Sequence, residues 1–392
     1  MKRIWSDNKY VDLLVDLLLF LTGINFLHYG QLILPVICFI LFLDRGMKFR
    51  VNDPFVFVIL CLFAVSFYAF SIKDFYCVMG FTLPMAYYIG SNMKYPDEKN
   101  VREMIYLLAL AMGLHVILNG IFEFIVHGSH GFFFSSTHYD IWTREKISNT
   151  ATAINIDLIL GCLYYLIFHE KDKRMKTVSL IVFSLSMFYL LVIGRRTPTM
   201  ILGLSAILSF LYETFVLKKG SAALKRSFLL ALVFIAFLVA LVFMVYSLNL
   251  FDLRETLQTI HIIRKFSEGL LGNERFGLYI SALKLMPSHL WGGSKISSIL
   301  GIEVHDFWLD VYDHAGIITY LLMMVYSFVF VKDIYRLLKS AKISSDFKIL
   351  MTGVIASIVV QLFLEPVMSG ASLFLLVGII IHALFERLIY EQ

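Results

Sequence analysis

Polar residues in this chain come in short clusters that separate long, nearly uninterrupted apolar runs. The runs fall at about 11–28, 30–44, 54–71, 75–91, 103–127, 149–168, 177–194, 198–217, 227–249, 313–331, 347–364 and 368–386. Most approach the roughly 20 residues that an α-helix needs to cross the hydrocarbon of a bilayer. None shows the ten-residue alternation of a lipid-facing barrel strand. A chain in lipid must satisfy its own backbone, and helices do so within each segment. The pattern therefore predicts an all-α, polytopic integral membrane protein with about twelve transmembrane helices. The second run is short, and the first carries Asp12 and Asp16. Lys2, Arg3 and Lys9 precede or open that first run and no small-residue cleavage site follows it, so it reads as an uncleaved span. Nine spans fill 1–249, a polar stretch occupies 250–312, and three spans complete 313–392. No internal sequence repeat relates these parts.

Charge gives the spans an orientation. With the N-terminus in the cytoplasm, the inner connections hold clusters such as Arg45, Lys48, Arg50 and Lys171, Lys173, Arg174, Lys176. Roughly two thirds of the 34 Lys and Arg then face the cytoplasm, the bias that orients spanning helices. The expectation is a plasma (inner, cytoplasmic) membrane protein with both termini inside. Two long segments are left outside, 128–148 and 250–312. The second holds apolar residues at helical spacing, Leu253, Leu257 and Ile260, then Phe276, Tyr279, Ile280 and Leu283, before Pro287. These read as two amphipathic helices on or near the membrane. A glycine- and serine-rich stretch, WGGSKISSILGIE, leads on to Val304–Tyr320.

Composition agrees. Hydrophobic residues make up 59% of the chain and charged residues 16%, with a mean hydropathy of +0.78; soluble domains have about 45–50% and about 25%. The net charge of +5 belongs mainly to one side and points to membrane lipids, not nucleic acid, as the partner. Cys38, Cys61, Cys77 and Cys162 lie in or beside apolar runs without a CxxC pair and read as small core residues. No histidine pair has a spacing such as HExxH, so no metal or other cofactor is expected.

Candidate chemistry collects on the outer side. Arg195 and Arg196 stand in IGRRTP at a tight outer turn, where basic residues are disfavoured. Planar guanidinium donors suit phosphate oxygens. Arg275 lies in GNERFGLYISAL, within the large loop. In VHDFWLDVYDHAGIITY, a helix through His305 would put Leu309, Tyr312 or Asp313, and Gly316 on its face. That joins an imidazole to a glycine permitting close backbone approach. Together the three arginines could grip a diphosphate, with His305 as the base beside it. His314, two and a half turns further on, faces away and reads as structural. Asp306, Arg144, Lys146 and Glu365 are candidate substrate contacts, as are Glu123, His138 and Asp140. Asp157 is an intramembrane acid and so a candidate by position.

Three of these pieces, GRRT, ERFGLYISALKLMPSHLWGGS and the His305–Leu309–Gly316 spacing, resemble the superfamily of O-antigen ligases and O-antigen or capsular polysaccharide polymerases. Asp306 stands where that family usually has Asn. The resemblance covers the layout of the whole chain, with specific motifs over about fifty residues. It implies a GT-C-like, metal-independent glycosyltransferase using an undecaprenyl-diphosphate-linked oligosaccharide. Arg196, Arg195 and Arg275 would bind the diphosphate and His305 would be catalytic. It further implies a polymerase of lipid-linked repeats, working beside a flippase and a chain-length regulator. The alternatives are ligase-type transfer to another acceptor and, from a different class, a transporter or flippase of lipid-linked saccharides. A transporter would show charges buried across several spans and repeat symmetry, whereas this chain has few such charges and concentrates its polar residues outside.

Overall fold

The computed structural model of the chain describes residues 4–71, 80–134, 138–193, 197–218, 273–303, 306–365, 367 and 372–391. Helices dominate, and side-chain caps fix where several begin. Asn8 accepts from Tyr10 N at the start of α1 (Lys9–Gly23). The short α2 (Leu34–Asp44) follows a 3₁₀ turn, Gly30–Ile33. Asp53 caps α3 (Pro54–Phe70), which has a proline in its first turn, where the missing N–H costs nothing. Then come α4 (Thr82–Ser91) and α5 (Glu98–Phe134), the latter broken at Gly128. A two-stranded antiparallel hairpin, β1 (His138–Tyr139) with β2 (Lys146–Ile147), pairs His138 with Ile147. Next are α6 (Asn149–Ile154), α7 (Asp157–Phe168), α8 (Lys173–Val192) and α9 (Thr197–Leu211). After the undescribed stretch come α10 (Asn273–Leu285), α11 (Lys295–Leu300), α12 (Phe307–Lys339), α13 (Ser345–Leu364) and α14 (Ser372–Glu391).

Among the described residues seven helices are long and apolar enough to cross a membrane, at the fifth to eighth and tenth to twelfth expected spans. Gly30–Asp44 and Pro54–Phe70 are shorter apolar helices. The expected span 227–249 and the amphipathic helix before residue 272 lie outside the described residues.

The burial pattern is that of an all-α membrane protein. On α8, Val178, Ile181, Leu185 and Phe188 recur at helical spacing, and each is about half exposed. The opposite face buries Ser179 and Ser186, and Ser186 Oγ donates to Gly113 O at 2.9 Å. Apolar residues outside and small polar residues at the helix contact suit a lipid surround. The helices pack α13 on α7 and α9, α12 on α3, α14 on α4, and α8 and α1 on α5. The α7–α13 crossing is close: a Cβ on Gly161 would stand 2.6 Å from Ser357 Oγ and 2.8 Å from Gly353 O.

Long-range bonds knit one end of the bundle, rich in Lys and Arg. Arg45 donates to Asn92 O at 2.7 Å and Asn52 to Ala383 O at 2.7 Å, while the local bond of Lys348 to Ser340 O, at 2.6 Å, closes the turn before α13. The expectation that the spans bury few charges is corrected here. Asp12, Asp16, Glu123, Asp157, Glu213, Asp333 and Glu386 are all buried on helices or their ends. Most have local partners. Asp12 accepts from Ile4 and Trp5 N, and Glu213 meets Tyr164 and His169.

The tenth span is also corrected. Its helix begins at Phe307, not near 313, because Asp306 caps it, accepting from Leu309 N at 3.0 Å. It then breaks at Gly316, whose φ of 75° and ψ of −173° are open essentially to glycine alone. Trp308 Nε1 donates to Ser327 Oγ at 3.0 Å, nineteen residues later. A straight helix would separate those residues by about 28 Å. Residues 307–315 therefore fold back on 317–339 as a helical hairpin.

Residues 290–294 pack into this break. Ile317 N donates to Leu290 O, Gly293 N to His314 O and Ser294 N to Asp313 O, all at 2.9 Å. A Cβ on Gly292 would stand 2.6 Å from Gly316 N, and one on Gly316 would stand 2.5 Å from Leu290 O. Gly128 has a similar backbone, φ 65° and ψ −174°, but a Cβ there would meet nothing within 4 Å. Gly316→Ala should thus lose both backbone freedom and space, and Gly128→Ala only the first. Thermal midpoints of the purified protein in detergent should fall much further for Gly316→Ala than for Gly128→Ala, which loses about 1–3 kcal/mol. Equal falls would show that the close packing at Gly316 contributes nothing.

Candidate functional site

The end of the bundle opposite the basic one carries Asp140, Asp157, Asp306 and Glu365 of the residues singled out from sequence. Arg195, Arg196 and His305 lie outside the described residues. Arg275 falls in the first turn of α10, whose described side chains begin at Gly277. The site is built here from what surrounds these positions.

Asp306 is extended, with φ −157° and ψ 131°, so the helix does not run back through it to His305. The helical face counted from His305 is corrected accordingly: Leu309, Asp313 and Gly316 belong to a helix that starts two residues later. Burial pushes the Asp306 carboxyl up, against the main-chain donors of Leu309 and Trp308. Asn and Asp cap helices about equally well, so Asp306 keeps the cap that an Asn would supply.

The rest of the hairpin arm is held by side chains. Asp313 accepts from Ile296 N at 2.8 Å and Ser297 N at 3.2 Å, and from the Ser297 hydroxyl, so it caps α11. His314 bonds Ser294 Oγ through Nδ1 at 3.0 Å and Asp310 through Nε2 at 3.3 Å. Tyr312 donates to Met286 O at 2.6 Å. A small core of Ala282, Ile296 and Tyr312, with Leu285, Leu309 and Tyr320 around it, fastens α10 and α11 onto this arm.

A second group lies between α7, α9 and α13. Thr197, next in the chain to Arg196, donates its hydroxyl to Glu365 Oε1 at 3.1 Å. Glu365 is 1% exposed and within Coulombic range of Asp157, also 1% exposed. Neither Asp157 oxygen has a hydrogen-bond partner among the described residues, and neither does either polar atom of the Gln361 side chain. Two carboxylates in one apolar crossing are costly unless a cation or proton joins them. Sequence position alone marked Asp157 and Glu365. Thr197 and Gln361 escaped notice because a lone Thr or Gln in an apolar run is common.

The β1–β2 hairpin forms a third group. Arg144 and Lys146 are exposed on it, Arg144 with φ 59°. Asp140 points inward. It bonds His115 Nε2 at 3.0 Å, and it accepts from Trp142 N at 2.8 Å and Thr143 N at 3.1 Å. Asn155 Nδ2 reaches His115 Nδ1 at 3.3 Å, and Asn119 Oδ1 accepts from Ile141 N. His138 is buried against Tyr189, with Nδ1 3.4 Å from the hydroxyl. These contacts make Asp140 and His138 anchors of the hairpin, leaving Arg144, Glu145 and Lys146 as its outward charges. Glu123 is buried nearby on α5. Neither of its carboxylate oxygens sits in a well-formed hydrogen bond among the described residues, and the Tyr139 main chain and His127 are the polar groups within its reach.

The basic end holds one further set that the sequence pattern does not flag. Asp333, His382 and Glu386 are buried, with ligand-type atoms within 4.8 Å of one another. His382 and Glu386 share a helix face at i, i+4, a spacing too common to stand out alone.

Burial raises the Asp140 carboxyl, but the His115 bond and charge and the two main-chain donors outweigh it. The group is held below the usual carboxylate range. Its contribution to stability is therefore full above about pH 4, the ordinary Asp range, and is lost as pH falls through the depressed value. Asp140→Asn should lower the melting midpoint at neutral pH, by about 1–3 kcal/mol in stability. The gap to the parent protein should close on acidification below about pH 4. A gap that persists there would contradict the ionic role. Asp157→Asn should behave oppositely: with no partner to lose, its midpoint at neutral pH should stay level or rise.

No family model matches the chain, and no curated protein is found to match it.

Proposed function

We propose that this protein is a polysaccharide polymerase, a membrane glycosyltransferase that joins undecaprenyl-diphosphate-linked repeat units at the outer face of the cytoplasmic membrane. The reading takes the protein as a twelve-span chain with both termini inside and its large loop outside. It rests on the resemblance to O-antigen ligases and polymerases. The observation that carries it furthest is the interlock of two of the resembling pieces: WGGS packs into the break at Gly316, which shapes the helix arm beginning beside His305. At the same end of the bundle Thr197, the last residue of the third piece, GRRT, donates to Glu365, which lies within Coulombic range of Asp157.

In this mechanism Arg196, Arg195 and Arg275 bind the diphosphate of the donor, whose lipid tail stays in the bilayer. An acceptor hydroxyl attacks the anomeric carbon. The new glycosidic bond forms as the bond to the diphosphate breaks, and undecaprenyl diphosphate leaves with the electron pair. His305 accepts the hydroxyl proton, a task suited to an imidazole titrating near 6.5. The guanidiniums stabilise charge developing on the leaving group, as oxyanion-hole donors do. Glu365 would hold the arginine turn in place through its bond to Thr197. Arg144, Lys146 and Asp306 would contact saccharide or diphosphate. No metal takes part in the transfer.

Arg196→Ala, Arg275→Ala and His305→Ala should each reduce polymer at least about 100-fold, the scale of losing one such donor. Each variant should still reach the membrane. Normal long-chain product from all three would remove the mechanism. Purified protein given only lipid-linked repeat should build a ladder. An unchanged single repeat would instead indicate ligase-type transfer to a separate acceptor.

A further inference from the structure

We propose that Asp333, His382 and Glu386 form a binding site for one divalent cation of the zinc or manganese type, at the basic end of the bundle. Asp333 comes from α12, and His382 and Glu386 come from one face of α14. All three are essentially inaccessible, at 1%, 0% and 0% exposed. His382 Nε2 lies 3.4 Å from Asp333 Oδ2. That is close to the tetrahedral edge of about 3.3 Å implied by bonds of about 2.0–2.1 Å to nitrogen and oxygen.

Each ligand also has a partner outside the set of three. The Tyr326 hydroxyl lies 3.2 Å from His382 Nδ1, leaving Nε2 for the cluster. Arg336 Nη1 donates to Asp333 Oδ1 at 3.2 Å. Tyr87 donates to Glu386 Oε2, and Asn52 Nδ2 lies 3.3 Å from the same oxygen. Outer partners of this kind orient metal ligands and set the imidazole tautomer.

Glu386 Oε1 is the atom the protein alone leaves unexplained. It is buried and has no hydrogen-bond partner among the described residues. Arg336 balances one of the two buried carboxylates, and the negative charge that remains beside a neutral imidazole is offset by a divalent ion. Phe330 and Phe385 close over His382 at 5.0 and 5.2 Å between ring centres and keep water from the set. A mixed imidazole and carboxylate set suits zinc or manganese better than calcium. The ion would clamp α12 to α14, far from the transfer chemistry proposed above and independent of it.

The test uses full-length protein purified in detergent, treated with chelator, then given Zn²⁺ alone or Mn²⁺ alone and desalted. Metal per chain is read by mass spectrometry and the melting midpoint is read alongside. About one equivalent of one of the ions, with a raised midpoint, is expected. His382→Gln and Glu386→Gln should each retain at least ten-fold less, whereas His314→Gln should retain as much as the parent. Tyr326→Phe keeps all three ligands and should weaken affinity about 10–100-fold, the usual effect of losing an outer partner. Less than a tenth of an equivalent of either ion in folded parent protein overturns the proposal. So does unchanged retention in both ligand variants, or unchanged affinity in Tyr326→Phe should those variants not fold.

Discussion

A helix broken within a membrane protein leaves main-chain groups that lipid cannot satisfy, so the chain itself has to supply their partners. At Gly316 it does so with residues 290–294, which bond to Asp313, His314 and Ile317 across the break. The requirement runs both ways. Gly316 must be glycine for its φ and ψ, and Gly292 must be small because the main chain of 314–316 lies against it. From this one exchange follow the hairpin of 307–315 on 317–339, the seat of α11 on Asp313, and the position of the Asp306 cap. Loop and helix are one unit here.

The two ends of the bundle handle charge differently. At the basic end most acids and bases find one another or find polar partners, as Arg102 does with Glu170 and Tyr165, Glu386 Oε1 being an exception among the described residues. At the other end Asp157 and Gln361 are buried without such partners among the described residues. Unmet polar groups lower stability, and proteins retain that kind of deficit where function requires it. A milder form of the contrast separates Asp140, fully engaged with His115 and two main-chain donors, from Glu123 on the same helix as that histidine.

Helix positions were legible in the sequence because each depends on a local run of apolar residues, and the seven long helices fall where those runs predict. The start of α12 was not. The sequence predicts a helix through His305 and a span from 313, but the cap at Asp306 and the packing of Phe307, Trp308 and Val311 on the core start it at Phe307. Buried acids were misjudged for a similar reason: an Asp in an apolar run looks the same whether or not three main-chain amides meet it, as they do Asp12. Gly316 was recognisable as a point of close approach, although what approaches it, Leu290 and Trp291, lies some 25 residues earlier. Asp333 and His382 are 49 residues apart, and no local pattern joins them. Of the site itself, sequence could mark Glu365 and Asp157 singly, but their convergence with Thr197 arises from the packing of three helices.

The brevity of α2 has a consequence for the surrounding lipid. Gly30–Asp44 extends only about 25 Å from its 3₁₀ and α rises, against about 30 Å of hydrocarbon. Val36, Phe39 and Leu43 are exposed along it, and on the twelve-span reading proposed above acyl chains meet that flank. Hydrophobic mismatch of this size draws the two leaflets together locally. Headgroups beside α2 would then stand several ångströms deeper than elsewhere around the protein, which makes that flank a low sill for any amphiphile whose polar part must descend to reach the bundle.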